Sequence, residues 1–274
     1  MKLALGTAQF GLDYGISNDR GQVTPEKAKD ILEISKLMGI DLIDTAISYG
    51  NSQEILGKLG VDDFLIVTKL PKVTCKVSST MDWISTRVHE SMEQLNVEQI
   101  YCLMLHRPDQ LFKKHGTVIL SALTKLKQDG VINKIGISIY SPSELDGLFN
   151  IFDFDIVQSP FNIVDRRLSD SGWLKKLSNN NVEIHIRSCF LQGLLLMKHK
   201  DRPTDFKEWD YIWSKWHEWL ELNELSPLKA CLDFVNSFDE IDRIIIGVQD
   251  RNQLMEIIEA LENSVFVEFP DIRN

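Results

Sequence analysis

The chain has 274 residues, of which 43% are hydrophobic, so it can bury a sizeable core in one large domain or two small ones. Its formal net charge of -10 and its pI near 5.1 argue against a nucleic acid or an anionic membrane as the main partner. No apolar run approaches the roughly 18 residues that cross a bilayer, and a strand pattern from Leu3 leaves no room for a signal peptide.

Short apolar runs alternate with amphipathic helical patterns along the whole chain. The predicted strands cover residues 3–7, 40–43, 64–69, 100–106, 134–138, 154–158, 182–187 and 243–247. The first long helix is expected to have Thr24 as its N-cap and Pro25 in its first turn, and to end at Gly39. A later helix is expected to begin at Ser79 or Ser85.

This alternation predicts an α/β protein with a parallel sheet covered by helices. Eight strand–helix units in a chain of this length fit a closed (β/α)8 barrel, or TIM barrel, and we expect residues 1–274 to form a single domain. An open doubly wound sheet is the alternative. It is less favoured because no Gly-x-Gly-x-x-Gly turn follows the first strand and many predicted strands end in polar residues.

Four polar side chains follow three consecutive predicted strands. Asp44 ends the second strand, Tyr49 lies in the loop after it, Lys69 ends the third strand and His106 ends the fourth. In a (β/α)8 barrel the functional residues come from the C-terminal ends of the strands and from the loops that follow. We therefore expect these four groups to converge at one mouth of the barrel.

The chemistry of these groups suits proton donation to a carbonyl oxygen. A tyrosine is a weak acid with a pKa of about 10. A neighbouring Lys69 would lower that pKa, and Asp44 would hold Lys69 in place by an ion pair. His106 would donate a hydrogen bond to the carbonyl oxygen, and a bound cofactor would supply the hydride. Each residue alone has a structural explanation, as a solvated lysine, a loop histidine or a helix cap, so the prediction rests on the joint pattern.

Three sequence blocks resemble motifs of the aldo-keto reductases in order and spacing: Asp44-Thr45-Ala46-x-x-Tyr49-Gly50, Thr68-Lys69 and Leu105-His106-Arg107-Pro108. The resemblance implies a (β/α)8 barrel and an NADP(H)-dependent oxidoreductase, with NAD(H) as the other dinucleotide. The substrate would be an aldehyde or ketone, including sugar-derived carbonyls. The catalytic residues would be Asp44, Tyr49, Lys69 and His106, with Tyr49 as the general acid.

The same resemblance also implies a set of cofactor-binding residues. They are Thr7, Asp44, Ser138, Gln158, Arg187, Ser188, Phe190, Gln192, Gly193, Gly247, Gln249, Arg251, Gln253 and Glu256. Ser138 and Gln158 would contact the nicotinamide carboxamide, residues 187–195 the pyrophosphate, and residues 247–256 the adenosine end. Gln249 stands where a basic residue or a serine is common, so Arg251 is the expected contact of a 2′-phosphate.

Two other functions are consistent with these residues. One is a sensor or regulatory subunit that binds a nicotinamide cofactor on the same fold. The other is a lyase in which Lys69 forms a Schiff base with a carbonyl substrate. The histidines show no metal-ligand spacing, so no metal site is expected.

The positions of the tryptophans and cysteines support two further predictions. Tryptophans 209, 213, 216 and 219 recur at helical spacing and predict a packing stripe, with a substrate or oligomer surface as the alternative. Cysteines 75, 102, 189 and 231 lie in or near apolar runs and form no C-x-x-C pair. They predict reduced, structural thiols in a cytoplasmic protein.

Overall fold

Eight parallel strands form a closed barrel in the computed structural model, which describes residues 2–263 and 268–272. Each strand pairs with the next along the chain, and the first pairs with the last. The (β/α)8 prediction is confirmed, and the open-sheet alternative was wrong. The strands are β1 Leu3–Gly6, β2 Leu42–Asp44, β3 Leu65–Leu70, β4 Ile100–Leu105, β5 Ile132–Ser138, β6 Ile156–Pro160, β7 Glu183–Arg187 and β8 Arg243–Ile246.

Helices surround the barrel and connect its strands. They are α1 Ala8–Gly11, α2 Pro25–Leu37, α3 Ser52–Leu59, α4 Thr80–Leu95, α5 Gly116–Gln128, α6 Leu145–Leu148, α7 Arg167–Asp170, α8 Trp173–Asn179, α9 Asp210–Leu222, α10 Pro227–Asn236 and α11 Arg251–Glu262. Thr24 caps α2 as predicted, since its side chain accepts a hydrogen bond from the Lys27 amide. Of the two starts expected for α4, the earlier is right, because the helix begins directly after Ser79.

The interior of the barrel is apolar in its middle and polar at its C-terminal end. The middle layer consists of Ala4, Leu42, Val67, Cys102, Met104, Ile156 and Ile245. Side chains in a strand alternate between its two faces, so Asp44 and Lys69 share the inward face with Leu42 and Val67. Asp44 follows Leu42 by two residues and Lys69 follows Val67 by two, so both lie nearer the C-terminal end than the apolar layer. Both side chains are buried.

A second polar cluster, which the sequence patterns did not reveal, lies among the N-terminal parts of the strands. Glu183 accepts hydrogen bonds from Tyr101 at 2.8 Å and Lys134 at 2.5 Å, and it pairs with His185 at 2.7 Å. Burial alone would raise the pKa of Glu183, but the hydrogen bonds from His185, Lys134 and Tyr101 lower it to about 2. Nδ1 of His185 is buried without a hydrogen-bond partner among the described residues. Because the other polar groups of the cluster bind one another and it lies at the end opposite Asp44 and Lys69, we interpret it as structural.

The tryptophan stripe packs within the long insertion between β7 and α10. Trp213 and Trp216 are buried, and their indole nitrogens donate to the carbonyl oxygens of Phe206 and Leu195, each at 3.0 Å. Trp216 stacks on Trp219 with ring centroids 5.7 Å apart. These contacts bear out the packing interpretation for the buried members, whereas Trp209 remains 38% exposed.

All four cysteines are free thiols, and Cys102, Cys189 and Cys231 are buried. Within residues 2–263 and 268–272, none of the helices is long and apolar enough to cross a membrane.

Candidate active site

Lys69 is the centre of a buried polar group at the C-terminal mouth of the barrel. Its ammonium contacts the Asp44 carboxylate, donates to the Thr45 carbonyl oxygen at 2.9 Å and lies 3.5 Å from the Tyr49 hydroxyl. The lysine side chain is fully buried, so these groups replace the water that would otherwise solvate its charge. The structure thus brings Asp44, Tyr49 and Lys69 together, as the sequence predicted.

A tight turn after β2 brings the Tyr49 phenol back over the barrel. Gly50 has a φ of 55°, a left-handed conformation that glycine adopts without steric cost. Gly11 of α1 packs against the same turn, and a Cβ atom built on Gly11 would lie only 1.8 Å from the Tyr49 carbonyl oxygen. Both glycines are therefore required for the close backbone approach that positions Tyr49.

Gln158 and Ser138, which were predicted to contact a nicotinamide carboxamide, join the hydrogen-bond network of Asp44 and Lys69. The Gln158 amide donates to the second Asp44 oxygen at 2.6 Å, and Ser138 donates to the Gln158 carbonyl at 3.3 Å. All three side chains are buried. The chain of hydrogen bonds from Ser138 through Gln158 to Asp44 orients the carboxylate that holds Lys69.

The net shift in the pKa of Tyr49 is opposite to the one expected from sequence. Burial of the phenol raises its pKa more than the charge of Lys69 lowers it, and Asp44 adds to the increase. Lys69 therefore acts in the predicted direction, but the predicted net lowering was wrong. The phenol remains protonated at neutral pH, which is the state required of a proton donor.

His106 directly follows β4 and faces Tyr49. The two rings meet edge to face with centroids 6.1 Å apart. Burial and, to a smaller extent, the positive charge of Lys69 together lower the pKa of His106 to about 4. Its imidazole is neutral at neutral pH, and Nδ1 lies 3.2 Å from the Ser48 hydroxyl. Ser48 was not singled out from the sequence, although it lies directly before Tyr49.

An elongated cavity of about 560 Å³ begins at Asp44 and Tyr49 and extends toward the loop after β8. Of the residues predicted to bind a cofactor, those that line it are Thr7, Asp44, Gln158, Arg187, Ser188, Phe190, Gln192, Gly193, Gly247, Gln249, Gln253 and Glu256. Ser138 lies behind Gln158, outside this lining. Arg251 is exposed at the start of α11 and is also outside it.

The loop after β7 forms one wall of the cavity with an unusual backbone. Ser188, Leu191, Gln192 and Gly193 all have positive φ values, between 49° and 93°. The Leu191 and Gly193 amides donate to the carbonyl oxygens of Ser188 and Phe190 at 2.8 and 2.9 Å, which closes the loop into a tight turn. Concave backbones of this kind can bind anions. A bulky leucine in this conformation is strained, and strain of this kind is common at ligand sites.

Arg187 lines the cavity beside this wall and near the predicted catalytic tetrad, which consists of Asp44, Tyr49, Lys69 and His106. Its guanidinium donates to the Ile139 carbonyl oxygen at 3.0 Å and stacks on the Tyr140 ring, 4.9 Å from the ring centroid. The side chain is half-buried and lines the cavity. It is thus available to stack on a planar ligand in the cavity.

The long connection between β1 and α2 crosses the cavity and was missed by sequence reasoning. The Ser17 amide donates to the Gln192 carbonyl oxygen at 3.3 Å, and a Cβ atom on Gly193 would collide with the Ser17 side chain. Tyr14 and Arg20 of the same connection line the cavity. Its length and its Gly, Asn, Asp and Ser content were the signal that could have identified it as a binding loop.

The described residues contain no group of three or more His, Cys, Asp or Glu side chains arranged to hold a metal ion.

Comparison with known proteins gives matches over most of the chain. Residues 2–268 match the Aldo/keto reductase family. An uncharacterized oxidoreductase, YqkF of Bacillus subtilis (strain 168), is 24% identical over 287 residues, which cover 94% of this chain and 90% of the relative. L-glyceraldehyde 3-phosphate reductase of Escherichia coli (strain K12) is 24% identical over 295 residues, 93% of this chain and 85% of the relative.

Solved structures with low sequence identity share the fold. An aldo-keto reductase from Bacillus halodurans in its holo form matches with a TM-score of 0.76 at 20% identity, covering 97% of this chain and 88% of the other. A glycerol dehydrogenase from Gluconobacter oxydans matches with a TM-score of 0.73 at 22% identity, covering 97% and 88%.

Proposed function

This chain belongs to the aldo/keto reductase family, and we propose that it reduces an aldehyde or ketone to an alcohol with a nicotinamide dinucleotide, using Tyr49 as the general acid. The observation that carries the proposal is the placement of the Tyr49 hydroxyl 3.5 Å from the buried Lys69 ammonium, which Asp44 in turn holds. This arrangement lies at the end of an elongated cavity of about 560 Å³, a volume typical of small-molecule sites.

Each member of the tetrad has a separate role in this proposal. Tyr49, protonated at neutral pH, donates its proton to the oxygen of the carbonyl as that oxygen becomes an alkoxide. Lys69 stabilises the phenolate that remains, and Asp44 keeps Lys69 charged and fixed. His106, neutral and beside Tyr49, donates a hydrogen bond that orients the carbonyl.

The cavity fits a nicotinamide dinucleotide, which would supply the hydride when bound. The concave loop after β7 would lie against a pyrophosphate, and Arg187 offers a planar surface to a nicotinamide ring. NADP(H) is the dinucleotide implied by the sequence resemblance, with NAD(H) as the other member of the class. The choice between them depends on the groups around the adenosine ribose.

The substrate in this proposal is a small carbonyl compound, including sugar-derived aldehydes and ketones. Among the relatives and fold neighbours are L-glyceraldehyde 3-phosphate reductase and glycerol dehydrogenase, whose names refer to small polyols and their aldehydes. The free cysteines and the acidic composition are consistent with a cytoplasmic enzyme that acts on neither nucleic acid nor membranes.

The lyase alternative is disfavoured by the environment of Lys69. Burial would lower the pKa of its ammonium, but Asp44 and Tyr49 raise it, and the net pKa lies above its ordinary value. A Schiff-base lysine must be deprotonated to attack a carbonyl, whereas this one is held charged and fully buried. The sensor alternative differs from the proposal only in lacking turnover.

A two-step experiment tests the proposed function. NADH and NADPH are first titrated into the protein while tryptophan fluorescence is followed, and oxidation of each dinucleotide is then measured against a panel of aldehydes, ketones and sugars. We expect micromolar binding of at least one dinucleotide and oxidation that depends on a carbonyl compound. Failure of both to bind below millimolar concentration would contradict the proposal, and binding without turnover across the panel would favour the sensor.

The pH dependence of kcat/KM should follow from the shifted pKa of His106. An unperturbed histidine would become charged below about pH 6.5. Since the pKa of His106 is about 4, its neutral form persists well below that point. We therefore expect no decline of kcat/KM between pH 7 and pH 5, and an acid limb only near pH 4. A break near pH 6.5 that disappears in His106→Gln would show that this account of His106 is wrong.

Ser48 should determine which nitrogen of His106 carries the proton. A hydroxyl that donates to Nδ1 leaves the proton on Nε2, the nitrogen then available to a carbonyl oxygen. We expect Ser48→Ala to lower kcat/KM about five-fold, equivalent to roughly 1 kcal/mol. Nitrogen-15 NMR of the His106 ring should show a larger fraction of the Nδ1-protonated tautomer.

The chain offers a matched control for Ser48. Ser85 lies 3.5 Å from Nδ1 of His89 on the exposed side of α4, away from the cavity. Ser85→Ala should leave the rate unchanged, and Ser48→Thr should restore both the rate and the NMR spectrum. An unchanged His106 spectrum in Ser48→Ala would rule out the positioning role.

A further inference from the structure

The N-terminus of α11 is closed by a carboxylate of this chain. Asp250 is the N-cap, and its Oδ1 accepts hydrogen bonds from the amides of Asn252 at 3.0 Å and Gln253 at 3.1 Å. The free amides and the dipole of a helix N-terminus favour an anion at this position. Here the anion is supplied by the protein itself, which removes two of the amide donors that an external phosphate would use.

The other oxygen of Asp250 binds Arg20, a cation that lines the cavity. Arg20, from the connection between β1 and α2, donates from Nη1 to Asp250 Oδ2 at 2.7 Å. The neighbouring Gln249 side chain donates to the Gly21 carbonyl oxygen at 3.4 Å, which ties the two loops together at the same place. The pKa of Asp250 is held below its ordinary value by the helix amides and Arg20, although burial raises it. Asp250 is therefore ionised and neutralises Arg20.

The remaining groups at this end of the cavity are neutral or negative. Gln249, Gln253 and Glu256 line it from the loop and first turns of α11, and Asp19 lines it from the opposite side. Gln249 and Gln253 are also joined to each other, since the Gln249 amide donates to the Gln253 side-chain oxygen at 2.8 Å. Arg251 is exposed and outside the lining. A second anion placed here would meet carboxylates rather than an unpaired cation.

On the basis of the proposed function, we propose that this chain selects NAD(H) over NADP(H), and that the ion pair of Arg20 with Asp250 causes the selection. A ribose 2′-hydroxyl can donate to a carboxylate, whereas a 2′-phosphate requires an available arginine. In this site the arginine is engaged and the helix N-terminus is filled. This proposal differs from the NADP(H) preference that the sequence resemblance implied, in which Arg251 would contact the 2′-phosphate.

The test compares dissociation constants of NADH and NADPH for the full chain, measured by quenching of tryptophan fluorescence without a carbonyl substrate. We expect wild-type protein to bind NADH at least about ten-fold more tightly, since like charges in a site reject the wrong ligand. Asp250→Ser keeps a capping hydroxyl but removes the negative charge that binds Arg20 at 2.7 Å, and it leaves Arg20 only a 3.9 Å contact between its Nε and Asp19. This variant should bind NADPH about ten-fold more tightly than wild type, with NADH binding unchanged within about three-fold.

Two further variants separate the cause from a general change in charge. Adding Arg20→Gln to Asp250→Ser should remove the gain for NADPH. Glu259→Gln, an exposed carboxylate on α11 that does not line the cavity, should change neither constant. Tighter binding of NADPH than of NADH by wild type would overturn this inference while leaving the proposed function intact. Failure of both dinucleotides to bind would instead defeat the proposed function.

Discussion

Tyr49→Phe should lower kcat for carbonyl reduction by about 10³-fold, because general acid catalysis by a positioned group contributes roughly 10²- to 10⁴-fold. The variant removes only the hydroxyl that lies 3.5 Å from Lys69 and keeps the ring that packs edge to face on His106. The binding constant of the dinucleotide should change by less than about three-fold, since the phenol has no part in the proposed anion-binding wall. Steady-state kinetics and fluorescence titration of the same preparation measure the two effects.

Tyr211→Phe is the matched control for this substitution. Tyr211 is 51% exposed on α9 and does not line the cavity, so loss of its hydroxyl should leave kcat unaffected. Reduction at the wild-type rate by Tyr49→Phe would refute the assignment of the acid. A loss of dinucleotide binding parallel to the loss of rate would show that Tyr49 acts in binding rather than in proton transfer.

Lys69→Met should lower both the stability and the activity of the protein. Lys69 and Asp44 are both buried, and removal of one partner leaves an uncompensated charge that costs about 3–5 kcal/mol. Asp44 would retain the Gln158 amide but no cation among its observed contacts. We expect the free energy of unfolding, measured in urea, to fall by that amount and the reduction rate to fall with it.

A double substitution distinguishes the two consequences of losing Lys69. Asp44→Asn combined with Lys69→Met removes the orphaned charge, so much of the stability should return while the activity does not. Lys72→Met, at an exposed position just after β3, provides the control and should affect neither. Wild-type stability in Lys69→Met alone would mean that the buried ion pair does not contribute as described.

The positions of Asp44, Lys69 and His106 could be predicted because strand periodicity and barrel topology fix them together. A polar residue at the end of an apolar run must lie at the mouth once the strands are parallel, and consecutive strands are neighbours. Tyr49 was expected at the same mouth because it lies in the loop after Asp44, and the turn at Gly50 brings it there. What these patterns could not provide was the balance of burial against charge, and this balance raised the pKa of Tyr49 instead of lowering it.

Contacts between distant loops could not be predicted from the sequence. Arg20 and Asp250 are separated by 230 positions, and neither has a spacing signal that indicates the other. Arg251 resembled a phosphate ligand by position in a motif, but its side chain is exposed outside the cavity. The hydrogen bonds among Glu183, Lys134 and Tyr101 could not be predicted either, because they depend on the register of three strands. That residues 1–274 form a single domain stays a prediction.

Direct transfer of deuterium tests the central claim that this chain reduces carbonyl compounds with a bound nicotinamide dinucleotide. The dinucleotide is dideuterated at C4 of its reduced ring, and the alcohol formed from the best substrate of the carbonyl panel is analysed by mass spectrometry. The account predicts one deuterium on the former carbonyl carbon of each alcohol molecule formed by wild type, with transfer about 10³-fold slower in Tyr49→Phe. Alcohol without deuterium, or tight dinucleotide binding with no transfer to any member of the panel, would contradict it.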